Sequence, residues 1–495
     1  MPDLETTALG TPQKAFAGYA APFVFDAPDG DKVEHTIWGD YVGLTGLEDG
    51  DWVEVRARGT DGWMRRSEIQ TERLLEVNFV DVGQGDGSFI VTPDDEYLLV
   101  DAGLDDNMLR FLSWRFNLRF HPGWRIDFLA GFITHADEDH YGGFARLLGS
   151  GRFHFGALYH NGLVERDGGP RLGPTTVVDG ITYQTDVVTD LAALHAIIDD
   201  PTKVGGMHYP NLMKTAVDEG HADDVAALSA GGFVEGFGPD RDLSLEVLAP
   251  VTTEIAGRPA LRRFSGNDGI TKNGHSVTLR LRYRDIAVLL TGDLNSSSQR
   301  HLLEHYTGLD PTNVDDAERV QMIEAARAIF RSDAAKSCHH GSADFVDEFL
   351  GGMHPLVTIV SSGDDEPFAH PRPDALGALG KWGRGPRPLI FSTELARSAR
   401  ENIKQVQALR EELEGLEGAL EAASTDDERH TILELIGEHA SAIERAIAVY
   451  GLINLRTDGT KLVMAQKLER PAPSGVKWDV HRFEFDDGEL KLVDD

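Results

Sequence analysis

The 495-residue sequence predicts an α/β fold, and three observations carry that prediction. Apolar, strand-like runs end in polar loops that lead into helical runs, at 97–100 before 107–114 and at 126–134 before 142–148. Further buried strands recur late, at 355–361 and 388–392, behind a hairpin formed by 276–283 and 286–291 through Arg284-Asp285. His and Asp residues gather where those runs end, which is where α/β proteins collect their catalytic groups. The 41% hydrophobic content is enough for a real core, and the length calls for one large domain with additions.

Taken in order, residues 1–20 lack periodicity and read as a loose tail. Residues 21–73 hold brief β candidates at 33–37, 41–44, 52–58 and 63–64. Asp29-Gly30, Gly39-Asp40, Asp49-Gly50 and Asp61-Gly62 mark turns between them, so a small β-barrel is expected. The pieces Trp38-Gly39-Asp40, Asp51-Trp52-Val53-Glu54-Val55-Arg56 and Gly62-Trp63-Met64 resemble bacterial SH3-like domains. The resemblance implies either a binding module or a β extension packed on the main domain.

The pattern changes at Leu74. Residues 75–82 alternate apolar and polar, residues 83–87 turn, and 88–92 resume as a strand. The strand at 97–100 ends at Asp101-Ala102-Gly103. Residues 150–270 are rich in Gly and Asp, with helical stretches expected at 188–198 and 221–228. A structureless loop that long is implausible in a compact domain, so an inserted subdomain that shapes or covers the site is expected. A long acidic helix follows at 315–330. At 396–450 the apolar spacing of Val406, Leu409, Leu413, Leu416 and Leu420 indicates one helix. A Thr425/Glu428 capping box opens a second, carrying Ile432, Leu435, Ile436, Ile443 and Ile447. This helical hairpin insertion is either a spacer or a contact for a protein partner or a homodimer. The α/β pattern returns over 451–495, so the main domain is 74–395 plus this last segment.

Composition bounds the function. A net charge of −35 counts against a tight non-specific nucleic-acid surface, because such affinity comes largely from Lys and Arg contacts to phosphate. It does not exclude a phosphodiester, since bound divalent ions reverse the sign locally. The single cysteine, Cys338, rules out an internal disulfide and reads as a small buried residue. No run approaches the ~20 apolar residues that cross a bilayer. Residues 1–13 show no basic region followed by an apolar one, so a cytoplasmic protein without membrane contact is expected.

The strongest chemical signal is Thr134-His135-Ala136-Asp137-Glu138-Asp139-His140, placed after a buried strand and before Gly142-Gly143 and a helix. Two His and two Asp within six residues can converge on adjacent metal ions, since imidazole nitrogens and carboxylate oxygens suit Zn²⁺, Mn²⁺ and Fe ions. Asp293 ends a strand rich in Leu and Val, where a lone carboxylate costs several kcal/mol unless paired or metal-bound.

His135-x-Asp137-x-Asp139-His140 resembles the metal motif of the metallo-β-lactamase superfamily. Asp137 stands where that motif usually has His, as in the branch related to the DNA-uptake competence protein ComEC. Phe79-Val80-Asp81-Val82-Gly83-Gln84-Gly85-Asp86 and Leu99-Val100-Asp101-Ala102-Gly103 are similar to that branch. So are Asn273-Gly274-His275-Ser276, Leu290-Thr291-Gly292-Asp293, His339-His340-Gly341-Ser342 and His370-Pro371-Arg372-Pro373, in the same order. The resemblance implies an αβ/βα sandwich. It implies His135 and Asp137 on a first metal, Asp139 and His140 on a second, Asp293 bridging them, and His339 completing one site. His340 is a ligand or points at substrate. His275 is a ligand or merely starts the hairpin. Asp101 would orient a ligand histidine, and Asp81 and Asp86 would brace their turn. His370 is a phosphate contact or leaving-group acid, or a histidine that caps a strand.

The function these residues imply is hydrolysis by water activated between two divalent ions, Zn²⁺ or Mn²⁺. Asp139, His340 and His370 are the candidate catalytic groups, with His370 or His340 protonating the leaving oxygen. A phosphodiester substrate, either nucleic acid or small molecule, leads by resemblance to the competence branch. A lactone, thioester or other small ester is the alternative within hydrolysis. A non-catalytic adaptor using the SH3-like and hairpin modules is the alternative outside it.

Overall fold

A computed structural model describes residues 14–363, 368–393, 411–420, 452–468 and 472–493, with scattered positions between 422 and 439. The chain divides into two compact units, one of 1–78, 91–96 and 453–495 and the other of 79–90 and 97–452.

The first unit opens with seven strands: β1 Ala15–Ala17, β2 Phe23–Phe25, β3 Lys32–His35, β4 Tyr41–Asp49, β5 Trp52–Ala57, β6 Thr60–Arg65 and β7 Ile69–Gln70. They form one sheet in the order β3-β2-β6-β5-β4-β1-β7, with every pair antiparallel. Alternation along them places Ala15, Ala17, Val24, Val42, Val53, Val55, Ala57 and Met64 in one core. Ala15–Ala17 belongs to the stretch expected to be a loose tail, yet it is a buried strand held between β4 and β7. The turn expected at Asp61-Gly62 falls instead at Arg58-Gly59, where both residues have positive φ, as a two-residue hairpin loop of this twist requires. Gly62 lies inside β6, where a Cβ would sit 2.3 Å from the carbonyl oxygen of Phe25.

The same unit holds β8 Leu75–Phe79 and an antiparallel meander of β25 Ile453–Thr457, β26 Lys461–Lys467, β27 Trp478–Asp486 and β28 Glu489–Val493. Its buried and partly buried charges form a linear chain. Arg58 pairs with Asp40, Arg456 reaches both Asp40 and Glu76, and Arg73 pairs with Glu76 at 3.2 Å.

In the second unit a mainly parallel sheet contains β9 Gly87–Val91, β10 Tyr97–Ala102, β11 Ile126–Ile133, β12 Phe153–His160 and β15 Ala222–Ala227, in the order β15-β12-β11-β10-β9. The helices α1 Asn107–Arg115, α2 Glu138–Gly149, α3 Leu191–Ile198, α4 Pro201–Val204 and α5 His208–Asp218 belong to this half. Residues 221–228, expected as a helix, are strand β15. Its parallel pairing with β12 and the burial of Ala222 and Val225 override the helix preference of an Ala-rich run. A small antiparallel sheet joins β13 Thr175–Val178, β14 Ile181–Gln184, β18 Thr253–Ile255 and β19 Arg258–Arg262.

The other large sheet orders β16 Gly232–Phe233, β17 Leu243–Ala249, β20 Thr278–Tyr283, β21 Ile286–Leu290, β22 Ala334–Lys336, β23 Val357–Val360 and β24 Leu389–Ser392 in sequence. It is antiparallel up to β21 and parallel from β21 onward. α6 Asp268–Gly274 precedes the hairpin. α7 Ser296–Thr307, α8 Asp316–Phe330, α9 Asp347–Met353 and α10 Pro373–Trp382 fill the connections. Asp315 and Glu318 make a reciprocal capping box at the start of α8. Met322, Ala326 and Phe330 along its inner face pack with Leu289, Leu302, Phe349 and Leu379. The architecture is α/β and consistent with an αβ/βα sandwich. The hairpin expected at 396–450 lies largely outside the described residues, and 411–420 and 428–433 within it are helical. No helix among the described residues is long and apolar enough to cross a membrane.

Candidate metal centre

Four strand ends and one turn deliver the site. Asp101 is the penultimate residue of β10, and β11 runs into Thr134-His135 and α2, with Asp137 at the N-cap. β21 is followed by Asp293, and β22 ends at Lys336 ahead of His339-His340. Asp86 comes from the turn before β9. That turn is pressed against the motif loop: a Cβ on Gly85, whose φ is +101, would lie 1.6 Å from the carbonyl oxygen of Asp139. Only glycine fits there.

At the centre, His140 Nε2 lies 3.3 Å from His340 Nε2 and 3.3 Å from Asp293 Oδ2, and His340 Nε2 lies 3.1 Å from the same oxygen. Asp139 closes the group, with one oxygen 4.0 Å from His140 Nε2 and the other 3.8 Å from His340 Nε2. His135, His140 and Asp293 form a second convergent set. His339 is at the edge, its Nε2 3.8 Å from Asp293 Oδ2. Both His339 and His340 have left-handed backbone, φ 47° and 53°.

Partners on the far side of each ring fix which nitrogen faces inward. His140 Nδ1 is 2.8 Å from Asp101 Oδ2, and Asp101 is itself held by the Thr134 amide and hydroxyl at 2.8 and 2.7 Å. His340 Nδ1 is 3.0 Å from the carbonyl oxygen of Ser361. His135 Nδ1 is within 3.1 Å of Thr134 Oγ1 and 3.3 Å of Ser276 Oγ. The Thr134 hydroxyl donates to Asp101 and the Ser276 hydroxyl donates to the carbonyl of Asn273, so both can accept from the imidazole. With Nδ1 carrying the proton in each ring, the three Nε2 lone pairs point into the cluster, the arrangement of metal-binding histidines.

The donors fit a divalent cation. His135 Nε2 and Asp293 Oδ1 are buried and lack a hydrogen-bond partner, a costly state unless a ligand meets them. Burial opposes charge on Asp293, yet His340, His140, His339 and Lys336 hold its carboxyl well below the usual range. Burial likewise opposes charge on His340, but Asp293 and Asp86 push it up to about 10. The field that would keep a proton on that imidazole is one that a metal ion can answer instead.

Two other predicted residues are placed differently. His275 is buried outside the cluster: its Nε2 meets the carbonyl oxygen of Arg262 at 2.7 Å and its ring stacks on Phe264. Burial lowers it to about 4, which keeps it neutral. Asp137 is 3.7 Å from His135 Nε2 but belongs to none of the convergent sets; it is ion-paired with Lys272. His370 stands beside the cluster, with ring centroids 5.8 Å from His339 and 6.2 Å from His340, and stacks on the exposed Phe368.

Two lysines had no place in the sequence reading. Lys336 is buried and pairs with Asp86, donates to the carbonyl of Gly292 at 2.8 Å, and lies 3.5 Å from Asp293 Oδ1. Its position one step beyond Ala334-Ala335 was the available signal, a charge ending a buried strand. Lys272 carried none, because its partners come from distant segments.

A family model described as the metallo-beta-lactamase superfamily matches residues 80–341. The chain belongs to the metallo-β-lactamase superfamily. With the His/Asp sets in place, this superfamily member is a metal-dependent hydrolase. It is 21% identical over 320 residues to ComE operon protein 3 of Bacillus subtilis (strain 168), a match covering 61% of this chain and 30% of that protein. The chain thus spans less than a third of that relative's length. Among solved structures it is similar to the metallo-beta-lactamase fold protein YhfI of Bacillus subtilis, at 10% identity and a TM-score of 0.31, covering 65% of this chain and 96% of that one. It is also similar to Tm1679, described as a metal-dependent hydrolase of the beta-lactamase superfamily, at 14% identity and a TM-score of 0.28, covering 64% of this chain and 95% of that one.

Proposed function

We propose that this superfamily member is a phosphodiesterase working with two divalent ions, Zn²⁺ or Mn²⁺. The observation that carries the metal chemistry is the convergence of His140 Nε2, His340 Nε2 and Asp293 Oδ2 within 3.3 Å of one another, with Asp139 beside them. In this reading His140, His340, Asp139 and Asp293 would hold one ion, and His135, Asp137, His339 and Asp293 would contribute donors to the other. Such ions supply Lewis acidity and a water that ionises near neutral pH. Asp101, Ser361 and Ser276 keep the imidazoles aimed inward. His370, beside His339 and His340, is the group that gives a proton to the leaving oxygen.

The phosphodiester reading rests on likeness to the competence branch, and on the similarity to ComE operon protein 3. The net charge of −35 favours a second reading, a small ester. Incubation with single-stranded DNA, RNA, dinucleotides and bis(p-nitrophenyl) phosphate, each with Mn²⁺ or Zn²⁺, tests both. Release of p-nitrophenol or shorter nucleotides supports the phosphodiester; turnover of lactones or thioesters alone replaces it. Residues 21–73 are proposed as an SH3-like binding module and 396–450 as a partner contact. Deletion of 400–447 should then leave hydrolysis intact.

A further inference from the structure

The two half-sites of the proposed centre differ in what already occupies their carboxylates. Four donors at ordinary zinc-ligand distances in a tetrahedron sit about 3.3–3.5 Å apart. The inner three of the set around His140 lie close to that spacing, at 3.1–3.3 Å. In that set Asp139 Oδ2 accepts from the Gln84 amide at 3.2 Å and Asp293 Oδ1 lies 3.5 Å from Lys336, whereas Asp137, the carboxylate that the half-site at His135 does not share, is held at both of its oxygens. Asp137 Oδ1 is ion-paired with Lys272. With the Asn273 amide oriented to suit its neighbours, its Nδ2 donates to Asp137 Oδ2 at 2.7 Å and to the carbonyl of Gly269.

Lys272 is not a passing surface cation. Its Nζ donates to the carbonyl oxygen of Ala136 at 2.9 Å and to Glu165 Oε1 at 2.8 Å, and Glu165 is buried. Three oxygens on three sides match the three protons of an ammonium. The side chain comes off α6, whose next residue, Asn273, is the second group on Asp137. Both brakes on Asp137 are thus set by one turn of helix.

We infer that Lys272 acts as a built-in competitor for the second ion. The ammonium neutralises Asp137 and fixes both of its oxygens with Asn273, so the half-site at His135 binds metal weakly while that at Asp139, His140, His340 and Asp293 binds tightly. Filling the weak half-site requires Asp137 to leave Lys272, whose ammonium then keeps the Ala136 carbonyl and Glu165, an acid that Arg171 also pairs at 3.0 Å. This inference rests on the two-ion reading above and adds an order of filling and the residue that sets it.

The test is metal binding by the full chain, independent of catalysis. Metal-free protein is titrated with Mn²⁺ or Zn²⁺ in a calorimeter, and bound metal is counted after gel filtration. The wild type should fill in two steps separated by about tenfold or more in affinity. Lys272→Met should tighten only the weaker step by a similar factor, while Lys272→Arg, which keeps the charge, should stay near wild type. Asp137→Asn should abolish the weaker step and spare the stronger. Circular dichroism checks that each variant folds. Two equal affinities in the wild type overturn the inference, as does a weaker step unchanged in a folded Lys272→Met. If Lys272→Met fails to fold, the wild-type steps and Asp137→Asn still decide it. Hydrolysis of bis(p-nitrophenyl) phosphate is scored separately, so unequal steps without phosphodiester turnover remove the substrate reading and leave this inference standing.

Discussion

Each unit of this chain buries a cluster of charges, and the two clusters are finished differently. In the first unit, Arg58, Asp40, Arg456, Glu76 and Arg73 alternate in sign, and each carboxylate faces a guanidinium. In the second, imidazoles and carboxylates turn lone pairs towards one another, and His135 Nε2 and Asp293 Oδ1 make no hydrogen bond, with Lys336 3.5 Å from the latter. A cluster whose acceptors are answered by fixed cations is part of the scaffold. A cluster of converging acceptors is a place for a cation that comes and goes. The difference is the sharpest functional sign in the molecule, because burial and charge alone are common to both.

The comparison can be broken from either side. Replacing Asp139 and His140 together by Ala should reduce hydrolysis on the order of 10⁴-fold while leaving the thermal midpoint of the metal-free protein near wild type. A matched loss of folding would show that this cluster too is scaffold. Glu76→Ala should do the reverse. It strands the buried Arg456, and breaking a buried pair from one side costs about 3–5 kcal/mol, read as a lower urea midpoint. Chelation by EDTA should lower the wild-type midpoint, since an ion that binds only the folded chain at 100 times its Kd contributes about 2.7 kcal/mol. That decrement should be absent in the Asp139→Ala, His140→Ala variant and retained in Glu76→Ala. Asp101→Asn keeps the shape but not the charge of the outer partner of His140, and metal affinity should fall about 10–100-fold. The smallest effect is expected at Cys338. Burial pushes its thiol up to about 11, so it should resist iodoacetamide at pH 8 in the native protein and react once the chain unfolds.

Contiguity decided what could be read from sequence. His135, Asp139 and His140 lie within six residues, so their meeting was legible before any fold was known. Asp293 was legible because an unpaired carboxylate after Leu289-Leu290 needs a reason. The strands at β11, β20, β21 and β23 were legible from apolar runs bounded by turns. Lys272 was not, since it meets Glu165 and Ala136 across 107 and 136 residues of chain. The aim of each imidazole was equally hidden, because Asp101, Ser361 and Ser276 come from other segments. Strand β15 was misread for a related reason: its strand character comes from pairing with β12, and nothing local in an Ala- and Asp-rich run announces a partner. The loop at 134–140 supplies its own chemistry, whereas the groups that tune that chemistry arrive only with tertiary contact.

The consecutive left-handed residues His339 and His340 restrict how this lineage can vary. In the proposed centre each would combine a place at the metal with a backbone shape that non-glycine residues adopt at a cost of about 1–3 kcal/mol. Swapping one imidazole for another donor is therefore not a free exchange there. Asn, which tolerates that backbone best among side chains with a donor, is the cheapest neighbour, and β-branched residues are closed off. Drift at these two positions should be narrower than at His135, where only the imidazole itself has to be kept.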